Sequence, residues 1–156
     1  MFIESLLGQL IKLRKPLLSD FDNLNTDQYL SLTDSKISSS VQGNIDFYEE
    51  NRNNKNSIIW SVENLNTKEC SGFVTVIKIG DKFALDIFIN NDNLDGKEIF
   101  TEALDLVLNY INFKKKIKKV YTYCKIENYV LKNILTKSGF SLISSDNQKS
   151  LFCIVL

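Results

Sequence analysis

The sequence predicts an α/β fold: a mixed, largely antiparallel sheet of six to seven strands with helices on both faces. Three observations carry this expectation. Short apolar runs separated by turn residues form a meander between residues 58 and 90. A sustained helical period of apolar residues occupies 96–113. Several strand runs are apolar on both sides, which a sheet tolerates only when helices cover both faces.

The elements follow in order. Residues 10–17, LIKLRKPL, alternate apolar and basic and end at Pro16, as an edge strand does. Ser19 is placed to cap a helix over SDFDNLNTDQYLSL, with acidic residues in its first turn. SSSVQGNIDFYEENRNN reads as a second helix that fades into a polar loop at 51–56. IIWSVEN (58–64) and SGFVTVIKI (71–79) make a hairpin, and FALDIFIN (83–90) extends it across the turn at Gly80. In the helix 96–113, Ile99, Ala103, Leu106 and Tyr110 fall on one face, flanked by Phe100, Leu104, Val107 and Ile111. VYTYCKI (120–126) is a strand, and NYVLKNILTKSGF a helix closed by Gly139. FSLIS and SLFCIVL pair across a polar turn at 145–149. Trp60 anchors the core beneath the sheet. The lysines of FKKKIKKVY (113–121) suit the C-terminal end of the long helix.

Composition narrows the chemistry. The 156 residues suffice for one domain, expected over 1–156, since no stretch has linker composition. Nineteen basic residues balance nineteen acidic ones, so no net field draws the chain to nucleic acid or a membrane. The absence of histidine removes histidine triads and histidine metal sites, leaving a carboxylate, tyrosine, lysine or water as general base. Cys70, Cys124 and Cys153 lack metal-ligand spacing and read as small apolar strand residues, so no metal is expected. The N-terminus lacks a basic region before its apolar run, and no stretch approaches the length of a membrane span; a cytoplasmic location is the expectation.

Four stretches, in order, then resemble one family. These are GQLIKLRKPLLSDFDNL (8–24), IIWSVENLNTKECSGFVTV (58–76), LDGKEIFTEAL (94–104) and ENYVLKNILTKSGF (127–140). Together they resemble the GNAT acyltransferase superfamily, in its ribosomal-protein-alanine, spermidine and amino-sugar N-acetyltransferase branch. The resemblance implies acetyl-CoA as co-substrate and a primary amine as acceptor: a small molecule, an amino sugar or a protein N-terminus. It implies that Ile87, Phe88 and Ile89 pair with the pantetheine arm. It also implies that backbone N–H groups over Asp95, Gly96, Lys97, Glu98, Ile99 and Phe100 cradle the pyrophosphate at a helix N-terminus. Here Glu98 stands where the family has a glycine and Phe100 where it has a small residue. N–H groups make the contacts, and every residue but proline has one.

Two further residues follow from position. Asp86 sits in an apolar strand, where a desolvated carboxylate can take a proton from an amine; the alternative is a solvent-facing or sheet-bonded side chain. Asn128 opens a helix after a strand and either binds the arm through its amide or serves as N-cap. The family's thiolate-protonating tyrosine falls at Leu135, so water or one of Tyr121, Tyr123 and Tyr129 would have to replace it. The sequence leaves two readings: direct acetyl transfer in a ternary complex, or a catalytically silent GNAT-like binding module. It leaves room for a homodimer.

Overall fold

The computed structural model describes residues 4–22, 24, 29–33, 41–90 and 95–156. Among the described residues nine strands form one sheet in the order β1-β2-β4-β5-β6-β7-β9-β8, with β3 paired to β6 off this path. The strands are β1 (Leu6–Leu7), β2 (Ile11–Arg14), β3 (Tyr29–Ser31), β4 (Ser57–Asn64), β5 (Cys70–Ile79), β6 (Lys82–Asn90), β7 (Lys119–Lys125), β8 (Ser141–Ser145) and β9 (Lys149–Val155). All pairs are antiparallel except β6–β7. The mixed, largely antiparallel sheet is as expected, but the strand number is higher because β1 and β3 are two and three residues long.

Helix α1 (Val41–Arg52) lies on one face; α2 (Gly96–Phe113) and α3 (Tyr129–Lys137) lie on the other. The main core joins α2 and α3 to the inward residues of the sheet, including Trp60, Leu85, Ile87 and Ile89. A smaller core on the opposite face holds Phe21, Ile59, Phe73 and Phe88, with Phe47 and Tyr48 of α1 against it. Phe21 stacks on Phe73 at 4.7 Å between centroids. Trp60 is fully buried, meets Tyr110 edge to face, and donates its Nε1–H to Glu4 O at 3.2 Å.

Two expectations need correction. The helix expected over 19–32 is a single 3-10 turn, Leu18–Phe21, followed by strand β3; residues 23 and 25–28 lie outside the described residues. Here Asp20 is recruited by tertiary contacts instead of helping a longer helix. Its carboxylate accepts from Arg14 Nη1 at 2.9 Å, Arg14 Nη2 at 2.8 Å, Ser61 Oγ at 2.6 Å and the Leu17 N–H at 2.7 Å. Second, the lysine run is not the end of α2. The helix stops at Phe113, Lys114 is its C-cap and Lys116 has φ 58°, so 114–118 are a connection into β7. The first residues of the expected second helix, 38–40, lie outside the described residues.

Gly139, with φ 102°, closes α3 as expected: Phe140 N–H reaches back to Leu135 O at 3.0 Å. Gly72 serves a different need. A Cβ there would lie 1.8 Å from Phe88 O, so only glycine lets β5 and β6 approach this closely.

Candidate active site

The site is built around the C-terminal half of β6. Alternation along this strand sends Leu85, Ile87 and Ile89 into the main core. It sends Phe88 into the smaller core, and Asp86 onto that same face, opposite the buried Thr75. Asp86 is half-buried. β7 runs parallel to β6 with one registered pair, Ala84–Tyr121, and Thr122 Oγ1 donates to Leu85 O at 2.9 Å.

Beyond that pair, residues 29–33 lie between the two strands. β3 pairs with β6 through Tyr29–Asn90, Leu30–Ile89 and Ser31–Phe88. The Leu32 N–H then donates to Ile87 O at 2.9 Å. Thr33 bonds to β7: its N–H donates to Tyr123 O at 2.8 Å, and Tyr123 Oη donates to Thr33 O at 3.0 Å. Tyr29 stacks on Phe88 at 5.1 Å. The edge carrying Ile87, Phe88 and Ile89, expected to face the arm of a bound ligand, is thus lined by the chain's own β3. Sequence reasoning missed this contact. Its one local trace, a positive φ of 60° at Thr33, has no signature in a threonine.

β6 leads toward the start of α2. Residues 91–94, which include the first part of the expected phosphate loop, lie outside the described residues. Asp95 is the N-cap, yet among the described residues its side chain makes no capping bond and its buried Oδ1 has no hydrogen-bond partner. The first bond of the helix runs from Ile99 N–H to Asp95 O at 3.0 Å. The N–H groups of Gly96, Lys97 and Glu98 therefore stand outside the helix's own ladder, as at any α-helix start. Ile99 and Phe100 are buried in the core, so their side chains serve packing; Lys97 and Glu98 are exposed. The bulk of Phe100 is absorbed by the interior, not by the space in front of the helix.

A groove of about 620 Å³ runs between α2 and α3, lined by Lys97, Glu98, Glu102, Asp105 and Lys137 among others. Glu102 is held by the Leu10 N–H at 3.0 Å. Burial, and then the charge of Glu102, push the Asp105 carboxyl above its ordinary range. Asn128 caps α3, its Oδ1 accepting from Leu131 N–H at 3.2 Å. That satisfies the structural reading of this residue and leaves its amide nitrogen for other partners. Leu135 is wholly buried, Tyr129 is exposed, and Tyr121 and Tyr123 are half-buried on the sheet face away from α2. Burial pushes the Cys70 thiol up to about 12 and raises that of Cys124, which removes both as thiolate nucleophiles near neutral pH. Among the described residues no cluster of three His, Cys, Asp or Glu side chains could hold a metal ion, and no helix is long and apolar enough to cross a membrane.

The described residues form a nine-stranded sheet with one parallel pair, packed against the long helix α2. The family model of the acetyltransferase (GNAT) domain matches residues 11–141. The chain belongs to the GNAT acetyltransferase family. Enzymes of this family use acetyl-CoA. No curated protein matches the chain. Among solved structures it is similar to a putative ribosomal-protein-serine acetyltransferase from Vibrio cholerae, with TM-score 0.76, 14% identity and 98% of each chain covered. It is also similar to Mycobacterium smegmatis RimJ in complex with CoA-disulfide, with TM-score 0.73, 15% identity, and 93% of this chain and 81% of that one covered. A third is a spermidine N-acetyltransferase SpeG chimera from Vibrio cholerae and hSSAT, with TM-score 0.75, 16% identity, and 94% and 96% covered. At these identities the neighbours establish the GNAT fold, and the family match establishes an N-acetyltransferase.

The residues at the start of α2 fit a pyrophosphate. Three N–H groups stand at the positive end of an 18-residue helix with the Glu98 side chain exposed, while the Asp95 carboxylate beside them has its Oδ1 buried.

Proposed function

We propose that the chain transfers an acetyl group from acetyl-CoA directly to a primary amine on a small molecule, an amino sugar or a protein N-terminus, in a ternary complex. Acetyl-CoA supplies the acetyl group as an activated thioester. The observation that carries this reading is that the N–H groups of Gly96, Lys97 and Glu98 lie outside the hydrogen-bond ladder of α2, within a GNAT domain. Those three groups hold the pyrophosphate, with Asp95, Ile99 and Phe100 fixing the turn and the helix behind them. The backbone of Ile87, Phe88 and Ile89 aligns the arm, sharing that edge with β3, and the Asn128 amide steadies it.

Asp86 is assigned the proton transfer. It lies on the face opposite α2, two residues beyond the only registered β6–β7 pair among the described residues. A half-buried carboxylate there can accept a proton from the ammonium form of the acceptor, directly or through water, before the nitrogen attacks. Asp86→Asn is expected to lower turnover by about a hundredfold with little change in acetyl-CoA affinity. Free-thiol release across a set of amine acceptors, measured at saturation, is the assay. An unchanged rate would take Asp86 out of the mechanism.

A second reading, a silent GNAT domain that serves as a binding module, is favoured by two observations. β3 occupies the β6 edge, and the buried Asp95 Oδ1 at the mouth of the phosphate site has no partner among the described residues. Release of thiol with any amine would exclude it.

A further inference from the structure

The lysine run at 114–119 plays no part in the transfer chemistry, and the fold brings other residues to it. β5 and β9 end, and β6 and β7 begin, at the end of the sheet that the run enters. The registers set one row across these four strands. Ile79 is opposite Lys82, Lys82 is level with Lys119 by the parallel Ala84–Tyr121 pair, and Lys119 is opposite Val155. Three strand spacings make the row about 15 Å wide. Lys82 and Lys119 each place Nζ 5.5 Å from the Tyr121 centroid, so both ammoniums gather at one ring. The connection from α2 to β7 adds Lys114, Lys115, Lys116 and Lys118, all exposed. It is tied to its surroundings. The Ile117 N–H donates to Ile111 O at 3.0 Å, Lys118 Nζ to Asn112 Oδ1 at 2.5 Å, and the Leu156 N–H to Lys118 O at 2.8 Å. On the β5 side, the Lys78 N–H donates to Asn56 O at 2.6 Å, which brings the exposed Lys55 and Lys78 to the same end.

Carboxylates at this end are few. Among the described residues Asp81 lies in the β5–β6 turn and Glu50 near the end of α1, while Glu49 is 3.9 Å from Arg52. Glu127 and Asp146 belong to the opposite ends of β7 and β9, and Asp86 lies further along β6. The chain's balanced total charge thus hides an uneven distribution, with eight lysines at one end. Apolar side chains stand among them. Phe113, Val155 and Ile79 are 67%, 75% and 65% exposed. Phe113 directly precedes the run, and Ile79 and Val155 are the two ends of the row.

We propose that this end docks the protein on a membrane surface containing anionic lipid. Lysines are drawn to the negative headgroup layer, and large apolar side chains set among them enter the boundary between headgroups and acyl chains. A nucleic acid fits less well. The basic groups are lysines, the one arginine at this end is beside Glu49, and among the described residues no row of exposed rings offers bases a stacking platform. An acidic polypeptide would match the lysines but leave Phe113, Ile79 and Val155 in water. Docking by this end also keeps the start of α2 open. The helix has 18 residues, about 27 Å of length, and Gly96 is at its far end. The proposal is independent of which amine the enzyme acetylates.

The test is co-sedimentation of the full chain with phosphatidylcholine vesicles, with and without about one third phosphatidylglycerol. The anionic vesicles are expected to bind at least about tenfold tighter at low salt, with the gain shrinking at about 0.5 M salt. The triple variant Lys114→Gln, Lys115→Gln, Lys116→Gln is expected to lose about tenfold in affinity for them. A charge-matched triple, Lys68→Gln, Lys125→Gln, Lys149→Gln, removes exposed lysines from the opposite end of the sheet and is expected to lose little. Phe113→Ser leaves the charge alone and is expected to weaken binding severalfold at both salt concentrations. A hairpin RNA and polyglutamate are titrated in parallel and are expected to bind more weakly than the anionic vesicles. Equal binding to the two kinds of vesicle, equal losses in the two triple variants, full binding by Phe113→Ser, or tighter binding of the RNA or polyglutamate would each overturn the proposal.

Discussion

Single residues in the family-like stretches turn out to be packing devices. Gly8 stands where a Cβ would fall 1.8 Å from Glu102 Oε1, the oxygen that receives the Leu10 N–H. Arg14 joins Asp20 through two nitrogens and Glu63 through Nε at 2.9 Å. Burial raises the Asp20 carboxyl, but the bonds from Arg14, Ser61 and the Leu17 N–H outweigh it and leave the pKa below its ordinary value. A depressed carboxylate pKa adds stability that is complete above the unfolded value, near 3.8, and fades as pH falls through the lower folded value. Asp20→Asn is therefore expected to cost about 3 kcal/mol at neutral pH, because it strands a partly buried guanidinium. The deficit should narrow below about pH 4, as urea melts at several pH values would reveal. Gly72→Ala is expected to be worse tolerated than any exposed substitution, at about 3 kcal/mol or more, since its Cβ meets backbone and not a movable side-chain tip. A melting temperature within a degree or two of the parent would refute that account. These roles were invisible in the sequence: the stretches were legible as a pattern, but the partners lie up to 94 positions away, as Gly8 and Glu102 show.

At the scale of elements, legibility followed the source of each element's stability. α2 was readable because its buried residues repeat at the helical period over eighteen residues. The β4–β5–β6 meander was readable because its turns carry Gly80 and the Asn64 side chain, whose Oδ1 takes the Asn66 N–H at 2.9 Å. β3 was not, because three residues of strand are specified by the edge they meet and not by propensity. Of the candidate site, the start of α2 was legible, whereas the face of Asp86 was left open by the sequence and the β3 contact arises from long-range juxtaposition. β3 also yields a prediction. If coenzyme A aligns its arm along Ile87, Phe88 and Ile89, the Leu32 N–H competes with it for Ile87 O. Saturating coenzyme A is expected to speed hydrogen exchange at Leu32 and Thr33 relative to the β4–β5 amides. Unchanged or slower exchange there would mean that the arm takes another path and β3 stays in place.

For the molecule as a whole, the expected layers were right and the strand count was low, since β1 and β3 extend the sheet by short pieces. The GNAT domain match fixes what the fold is, and the central claim is that the helix start at Gly96, Lys97 and Glu98 still receives the cosubstrate despite Glu98 and Phe100. An exposed carboxylate several ångströms from a phosphate costs about 1 kcal/mol or less in a screened environment, too little to defeat three N–H groups and a helix dipole. The most direct measurement is the melting temperature of the parent chain and of Gly96→Pro with increasing acetyl-CoA. The proline removes one of the three N–H groups. The parent is expected to gain about 2.7 kcal/mol of stability at a hundredfold excess over the dissociation constant, and the variant none. No shift of the parent at millimolar acetyl-CoA, or an equal shift in Gly96→Pro, would contradict the account.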